Sequence, residues 1–434
     1  MTQKKQNYVL PIVMMFALFA MISFVTGLSN PIGVIIKNQF AVPNWMSQLG
    51  NFANFIAYAF MGIPSGMLLK KVGYKKLALL AIVVGFAGVG VMFLSGVAGS
   101  FAVYLTGAFV AGFSMCMLNT VVNPMLNTLG GGGNKGNQLI QFGGSINSLS
   151  ATVVPVLGGY LIGNVATATV SNANPALFIA MGIFAVVFIV LSLVKIPEPA
   201  TESATKSKEK DKYSPLSFRH FVLGAIAIFI YVGVEVGIPN FINLFLTDQS
   251  IFVDANITGA AELDTTIAGA VVGTYWFMMM IGRIFGGILG AKVSAKTMLT
   301  TVSLLGAALT LAAILTPIDT FVNMPVFKAD ISFGLAAVPI NVMFLVLCGL
   351  CTSVMWGGIF NLAVEGLGAK YTAMGSGIFM VMVCGGGILP LIQGGVADFA
   401  GYMGSYWVIF AGCIYMLYYA LVGSKNVNKN IPVD

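Results

Sequence analysis

The sequence predicts an all-α membrane protein whose twelve transmembrane helices fall into two six-helix halves. Three observations carry that prediction. Only 8% of the 434 residues are charged and 58% are hydrophobic, against roughly 25% charged in soluble proteins. Twelve stretches reach the ~20 apolar residues that a helix needs to cross the bilayer core. One polar segment, PEPATESATKSKEKDKYSP, divides them six and six.

Taken in order, the spans lie near 9–36, 46–69, 76–97, 101–129, 138–163, 174–195, 218–246, 265–291, 297–316, 334–365, 371–396 and 403–423. The first follows Lys4 and Lys5 as the apolar run of a signal peptide would. It continues past signal-peptide length with no small-residue cleavage site, so it reads as a span. Residues 1–196 then form the first half and 218–434 the second, joined by a cytoplasmic linker, 197–217, too polar to bury. With both termini inside, eighteen of the 21 Lys and Arg collect on the cytoplasmic face, as membrane topology favours. Lys37 and Lys328 fall outside and Arg283 within a span. The exterior gathers Asp248, Asp254, Glu262, Asp264, Asp319, Asp330 and Asp398. The net charge of +7 therefore reads as topology and contact with anionic lipid headgroups, with no nucleic-acid partner. Five cysteines in apolar stretches and a single histidine, His220, beside the linker argue against a disulfide framework, a metal site and His-based catalysis. The chain does not read as an enzyme.

The halves echo each other. Gly62, Gly66, Lys71 and Lys76 in GIPSGMLLKKVGYKK recur as Gly282, Gly286, Lys292 and Lys296 in IGRIFGGILGAKVSAK, and NPMLNTLG at Asn123 returns as NLAVEGLG at Asn361. A six-span repeat about an axis along the membrane normal is one architecture of secondary transporters. The 52 glycines let helices approach closely where lipid offers no hydrophobic drive. Pro31, Pro124, Pro155, Pro239 and Pro390 are expected to interrupt spans, each freeing a carbonyl that needs a partner.

Polar side chains inside the spans mark the functional region, because burial costs free energy unless they are paired. The first 197 residues hold no Asp or Glu, and the acid nearest mid-span is Glu235, in FIYVGVEVGIPNFINLF. Its charged form is disfavoured in hydrocarbon, so it must bind a cation or find a cationic partner. That makes it the candidate for ion coupling; the structural alternative is a Glu satisfied by helix-breaking carbonyls or an Asn. Asparagines supply most other polarity: Asn30, Asn51, Asn54, Asn119, Asn123, Asn147, Asn240, Asn243 and Asn361. An amide both donates and accepts, which suits a neutral polyhydroxylated ligand, although each could equally bridge two helices. Asn119 and Asn123 share one helical face. Trp356, and after it Trp276 or Phe52, could stack on a sugar. Lys71 and Arg283 are candidate gating residues, Arg283 by snorkelling or by binding a helix terminus.

These motifs together resemble the fucose–galactose–glucose symporter branch of the major facilitator superfamily, and most nearly its glucose/galactose permeases. The resemblance runs over most of the chain through KKVGYKK, LNTVVNPMLNTLG, RHFVLGAIAIFIYVGVE, IGR, IFNLAVEGLG and GGGILPLIQGGVAD. It implies a major facilitator fold and sugar transport. Where relatives carry Asn-Asp in span 1 this chain has Ser29-Asn30. Where fucose permeases carry a span 4 Glu, and glucose/galactose permeases a Gln, it has Asn119. Glu235 matches the span 7 Glu of the glucose/galactose type.

The combined expectation is a monomeric carrier of a neutral hexose in the bacterial cytoplasmic membrane, working by alternating access. Its substrate contacts would be Asn30, Asn119, Asn123, Asn147, Asn240, Asn361 and Trp356. Glu235 would bind the coupling ion, H⁺ or Na⁺, and no other cofactor is expected. Rival readings are an uncoupled sugar uniporter and an efflux carrier for drug-like or lipid-like molecules, the latter favoured by the 24 methionines and the Met278–Met280 run.

Overall fold

The structure, a computed structural model, describes residues 8–130, 133–162, 168–198, 213–254, 263, 265–290, 292–328, 332–428 and 430–432. The middle of the linker, Lys4, Lys5 and the side chain of Asn30 lie outside them. Span 1 comprises Val9–Gly27 and Ser29–Gln39, followed by Leu49–Val72, Tyr74–Ala98, Phe101–Leu129, Gly133–Ile162 and Asn174–Leu193. Spans 7 to 9 are Arg219–Thr247, Thr265–Leu289 and Ala295–Leu315, and span 10 comprises Ile340–Thr352 and Met355–Val364. Gly368–Met382 begins span 11, and the long helix Gly385–Tyr418 completes it and makes span 12. Gly401, at φ 74° inside that helix, turns the chain back. Only glycine adopts such a φ without steric cost.

Span 8 packs along span 5, and span 11 along span 2, so most of the contact between the two halves runs through these four helices. The repeated Gly-Lys motifs end spans 2 and 8, both at this junction. A Cβ on Gly387 would stand 2.9 Å from the Phe52 Cα, and one on Gly385 would stand 2.6 Å from the Phe229 carbonyl carbon. The Gly385–Gly387 run is therefore where span 11 meets the backbones of spans 2 and 7.

The prolines behave differently from expectation. Span 1 breaks at Leu28, ahead of Pro31, but Pro124, Pro155, Pro239 and Pro390 lie inside continuous helices. What they remove is a hydrogen bond, because each lacks the N–H that would reach the carbonyl four residues back. Two of those freed carbonyls have visible partners. Glu235 O, four before Pro239, accepts from the Tyr275 hydroxyl at 3.2 Å. Gly386 O, four before Pro390, accepts from Asn51 Nδ2 at 2.7 Å.

Residues 334–339 were expected to begin span 10, and the structure corrects this. They form a strand, Phe333–Pro339, paired antiparallel with Phe321–Phe327. The run is as apolar as a span, but tertiary contacts decide its shape: Phe327 N–H donates to Thr274 Oγ1 of span 8 at 2.9 Å. The Phe327 and Phe333 rings also lie 5.8 and 5.2 Å from Phe277.

At the face that carries the linker, Gly73 turns at φ 85° between spans 2 and 3. The Glu198 carboxylate accepts from the N–H groups of Tyr74 and Lys75 at 2.8 and 3.0 Å. A carboxylate there answers the exposed donors and positive dipole end of span 3. Lys75 Nζ donates to Ser192 O and Val194 O at the end of span 6. Lys71 is exposed.

Candidate functional site

Glu235 lies 16 residues into span 7, about 24 Å from the linker face at 1.5 Å per residue. It is not isolated. Arg283 of span 8 approaches its Oε1 through Nη2 at 3.2 Å, and the two side chains are only 15% and 14% exposed. Arg283 neither snorkels nor binds a helix terminus, because its other guanidinium nitrogen reaches into the first half. Nη1 donates to Gly144 O at 2.7 Å and to Ser148 Oγ at 2.8 Å, both on span 5. One guanidinium thus joins the mid-membrane acid to the opposite half. Charge-assisted bonds of this kind are strong where water is scarce. The buried Tyr231 hydroxyl, one helical turn before Glu235, borders the pair.

Three amides of the first half, on spans 4 and 5, are half-buried. Asn119 Nδ2 donates to the Tyr58 hydroxyl at 3.0 Å and to Met115 O at 3.1 Å. Asn123 donates to Asn119 O, and Asn147 to Phe19 O on span 1. The side-chain oxygens of all three accept nothing from the described residues. Trp356 stands with its ring 6.2 Å from Tyr231, placing it beside the acid's helix. Asn361 is exposed, five residues and about 7 Å nearer the linker face than Trp356. Asn240 is buried, its amide donating to Gln48 Oε1 across the halves at 2.9 Å. Trp356, beside Tyr231, and Asn147, next to Ser148, therefore stand beside residues that border the Glu235–Arg283 pair, whereas Asn119 packs on Tyr58 of span 2, Asn123 and Asn361 lie nearer the linker-side ends of spans 4 and 10, and Asn240 belongs to the far face.

Asn240 belongs to a set of contacts that close the face opposite the linker. Lys37 of span 1 pairs with Asp248, at the end of span 7, at 2.6 Å, and also donates to the Tyr402 hydroxyl. That hydroxyl lies 2.9 Å from Asp248 Oδ2 and 3.0 Å from Asn44 Oδ1. Asp398 accepts from the N–H groups of Asn44 and Trp45. Burial opposes charge on Asp248, but the bonds from Lys37, Ser250 and Tyr402 outweigh it and hold the carboxyl below its ordinary range. Toward the linker face the halves separate. A Cβ on Gly62 would touch Val381 Cγ2 at 2.9 Å, yet one turn further on, Gly66 and Gly377 meet nothing within 4 Å among the described residues. The same holds for Gly287, one turn beyond Arg283. The molecule is closed at the far face and parts towards the linker.

Sequence reasoning identified Glu235 and the amides but missed their partners. Snorkelling or a helix terminus was the expectation for Arg283, whereas its guanidinium meets the acid of span 7 at 3.2 Å. Tyr58, Tyr275, Ser148 and Gln48 gave no signal beyond being polar atoms within apolar stretches.

Comparison with known proteins agrees with this architecture. A profile of the Major Facilitator Superfamily matches residues 14–391. The glucose/galactose transporter of Brucella abortus biovar 1 (strain 9-941) is 30% identical over 431 residues, covering 98% of this chain and 97% of that protein. The L-fucose-proton symporter of Escherichia coli (strain K12) is 22% identical, covering 96% and 93% respectively. Among solved structures, FucP, a major facilitator transporter in the outward conformation, superposes with a TM-score of 0.68 at 19% identity, over 97% of this chain and 100% of that one.

Proposed function

Because the chain belongs to the Major Facilitator Superfamily, we propose that it carries a neutral hexose of the glucose or galactose type by alternating access, coupled to H⁺ or Na⁺ at Glu235. The observation that carries this reading is a buried mid-span acid whose guanidinium partner is shared with span 5 of the opposite half, a half whose spans 4 and 5 carry half-buried amides. Asn119, Asn123 and Asn147 contact sugar hydroxyls, Trp356 offers a stacking face, and Asn30 completes the set from span 1. Asn240 acts in closure of the far face, and Asn361 at the exit toward the linker.

In the coupled cycle a proton forms an O–H bond at the Glu235 carboxylate, or Na⁺ takes its free oxygen. Either neutralises the acid and releases Arg283 Nη2, leaving that guanidinium held by span 5. The halves, residues 1–196 and 218–434, then rock about spans 2, 5, 8 and 11. The positive charge of the linker face supports a cytoplasmic position for it in a bacterial membrane, and the described state is then inward-parting. Lys71 serves as an anchor there, and the carrier works as a monomer. Names of the relatives support the substrate class: one is a glucose/galactose transporter and another an L-fucose-proton symporter.

Uncoupled transport is the second reading, favoured because Arg283 already neutralises Glu235 and the first half holds no acid before Glu198. Efflux loses its main support, since Met279 is fully buried and Met278 lies against Gly349 of span 10. The test is uptake of labelled glucose and galactose into proteoliposomes, competed by unlabelled hexoses and by a lipophilic cation. Saturable uptake blocked only by hexoses is expected. Uptake of the cation alone would overturn the substrate class.

A further inference from the structure

Buried indole N–H groups nearly always find an acceptor, yet Trp276 Nε1 is buried with none among the described residues. Its place on span 8 gives this meaning. Trp276 precedes Arg283 by seven residues, two helical turns, so the two share one face of the helix. Arg283 fixes where that face points: toward Glu235 on span 7 and Ser148 on span 5. Depth is fixed by the adjacent Tyr275, whose hydroxyl bonds Glu235 O. Trp276 therefore stands at the level of the acid, on the inward side, between the halves. Gly273, three residues earlier, confirms the direction, for a Cβ there would meet Thr152 O of span 5 at 2.8 Å.

Other orphaned groups carry less. The Tyr231 hydroxyl is also without a hydrogen-bond partner, but it borders Glu235 and Arg283, and a small rotation satisfies it. The Trp276 indole is partly exposed while its nitrogen is covered, so an acceptor reaches the nitrogen only when the side chains around it shift.

We infer that the Trp276 indole N–H is a specificity-determining donor that binds one hydroxyl oxygen of the transported sugar. This rests on the hexose reading above. The N–H discriminates because a site built around one hydrogen bond penalises a ligand that lacks the acceptor. A lipophilic substrate would not supply it.

The experiment is equilibrium binding of labelled glucose and galactose, and of each of their monodeoxy derivatives, to the purified full chain and to Trp276→Phe. Phe keeps an aromatic ring against Tyr275, whose centroid is 5.3 Å away, and removes the donor. The variant should bind the parent sugar about 10-fold more weakly, the worth of one neutral hydrogen bond. It should match wild type on one particular deoxy sugar, the one lacking the hydroxyl served. Equal affinity of variant and wild type for the parent sugar, or an equal loss on every derivative, overturns the inference while leaving the hexose reading intact. If wild type binds no hexose, both fall.

Discussion

Replacing Asp248 by Asn should unlock the far face. The carboxylate accepts from Lys37 at 2.6 Å, from the Tyr402 hydroxyl at 2.9 Å and from Ser250 at 2.5 Å. Asn keeps an oxygen for the two hydroxyls but loses the charge facing Lys37. An exposed pair would be worth ~0–1 kcal/mol, whereas unpairing a buried one costs ~3–5 kcal/mol. These side chains are 20% and 21% exposed, so the loss should lie near ~2 kcal/mol, within the usual range of a bond to a charged group. That is about a 30-fold shift from far-closed toward far-open. Ser47, buried beneath this closure, reports it: maleimide labelling of Ser47→Cys should accelerate about 30-fold when Asp248→Asn is added. Lys37→Gln should act similarly, and the double variant should add little to either single one. The native cysteines are all buried and label slowly. An unchanged labelling rate, or full additivity of the two substitutions, would refute the lock.

Sign and pH follow from the same residue. The closed state depresses the Asp248 carboxyl relative to its solvated value. Its stabilisation is therefore complete above the ordinary Asp range near ~4 and is lost as pH falls through the lowered value. The ratio of Ser47→Cys labelling rates with and without Asp248→Asn, in which the thiolate fraction cancels, should be flat between about pH 6 and 8; a strong dependence of that ratio there would contradict the assignment. Tyr275→Phe leaves the carbonyl freed by Pro239 unpaired and should cost about 1–2 kcal/mol, seen as a lower melting midpoint. Asn119→Ala should raise the hexose KM about 10-fold, and an unchanged KM would remove it from the sugar site. Glu198→Ala should lower the melting midpoint slightly and leave KM unaltered; a changed KM would mean the span 3 cap reaches the pathway.

The helices and the acid were legible because both obey simple counting. Twenty apolar residues make a span, and a carboxyl at mid-span must be paired. Pro239 and Pro390 announced missing hydrogen bonds, and the structure supplied their partners, Tyr275 and Asn51. The hairpin was hidden because Phe333–Pro339 is as apolar as the helix that follows it, and only the contact with Thr274 tells strand from span. Lys37 looked like an exception to the charge rule until Asp248, 211 residues away, appeared beside it. Arg283 and Glu235 pair across 48 residues, a proximity set by helix packing that no local pattern records.

The central claim is that Glu235 couples an ion gradient to sugar movement. Hexose accumulation in proteoliposomes, under separately imposed pH and Na⁺ gradients, tests it most directly in wild type and Glu235→Gln. One gradient should drive sugar uphill in wild type, and the variant should equilibrate sugar without concentrating it. A variant that concentrates sugar as well as wild type would contradict the role of Glu235, and a wild type that concentrates sugar under neither gradient would contradict coupling itself.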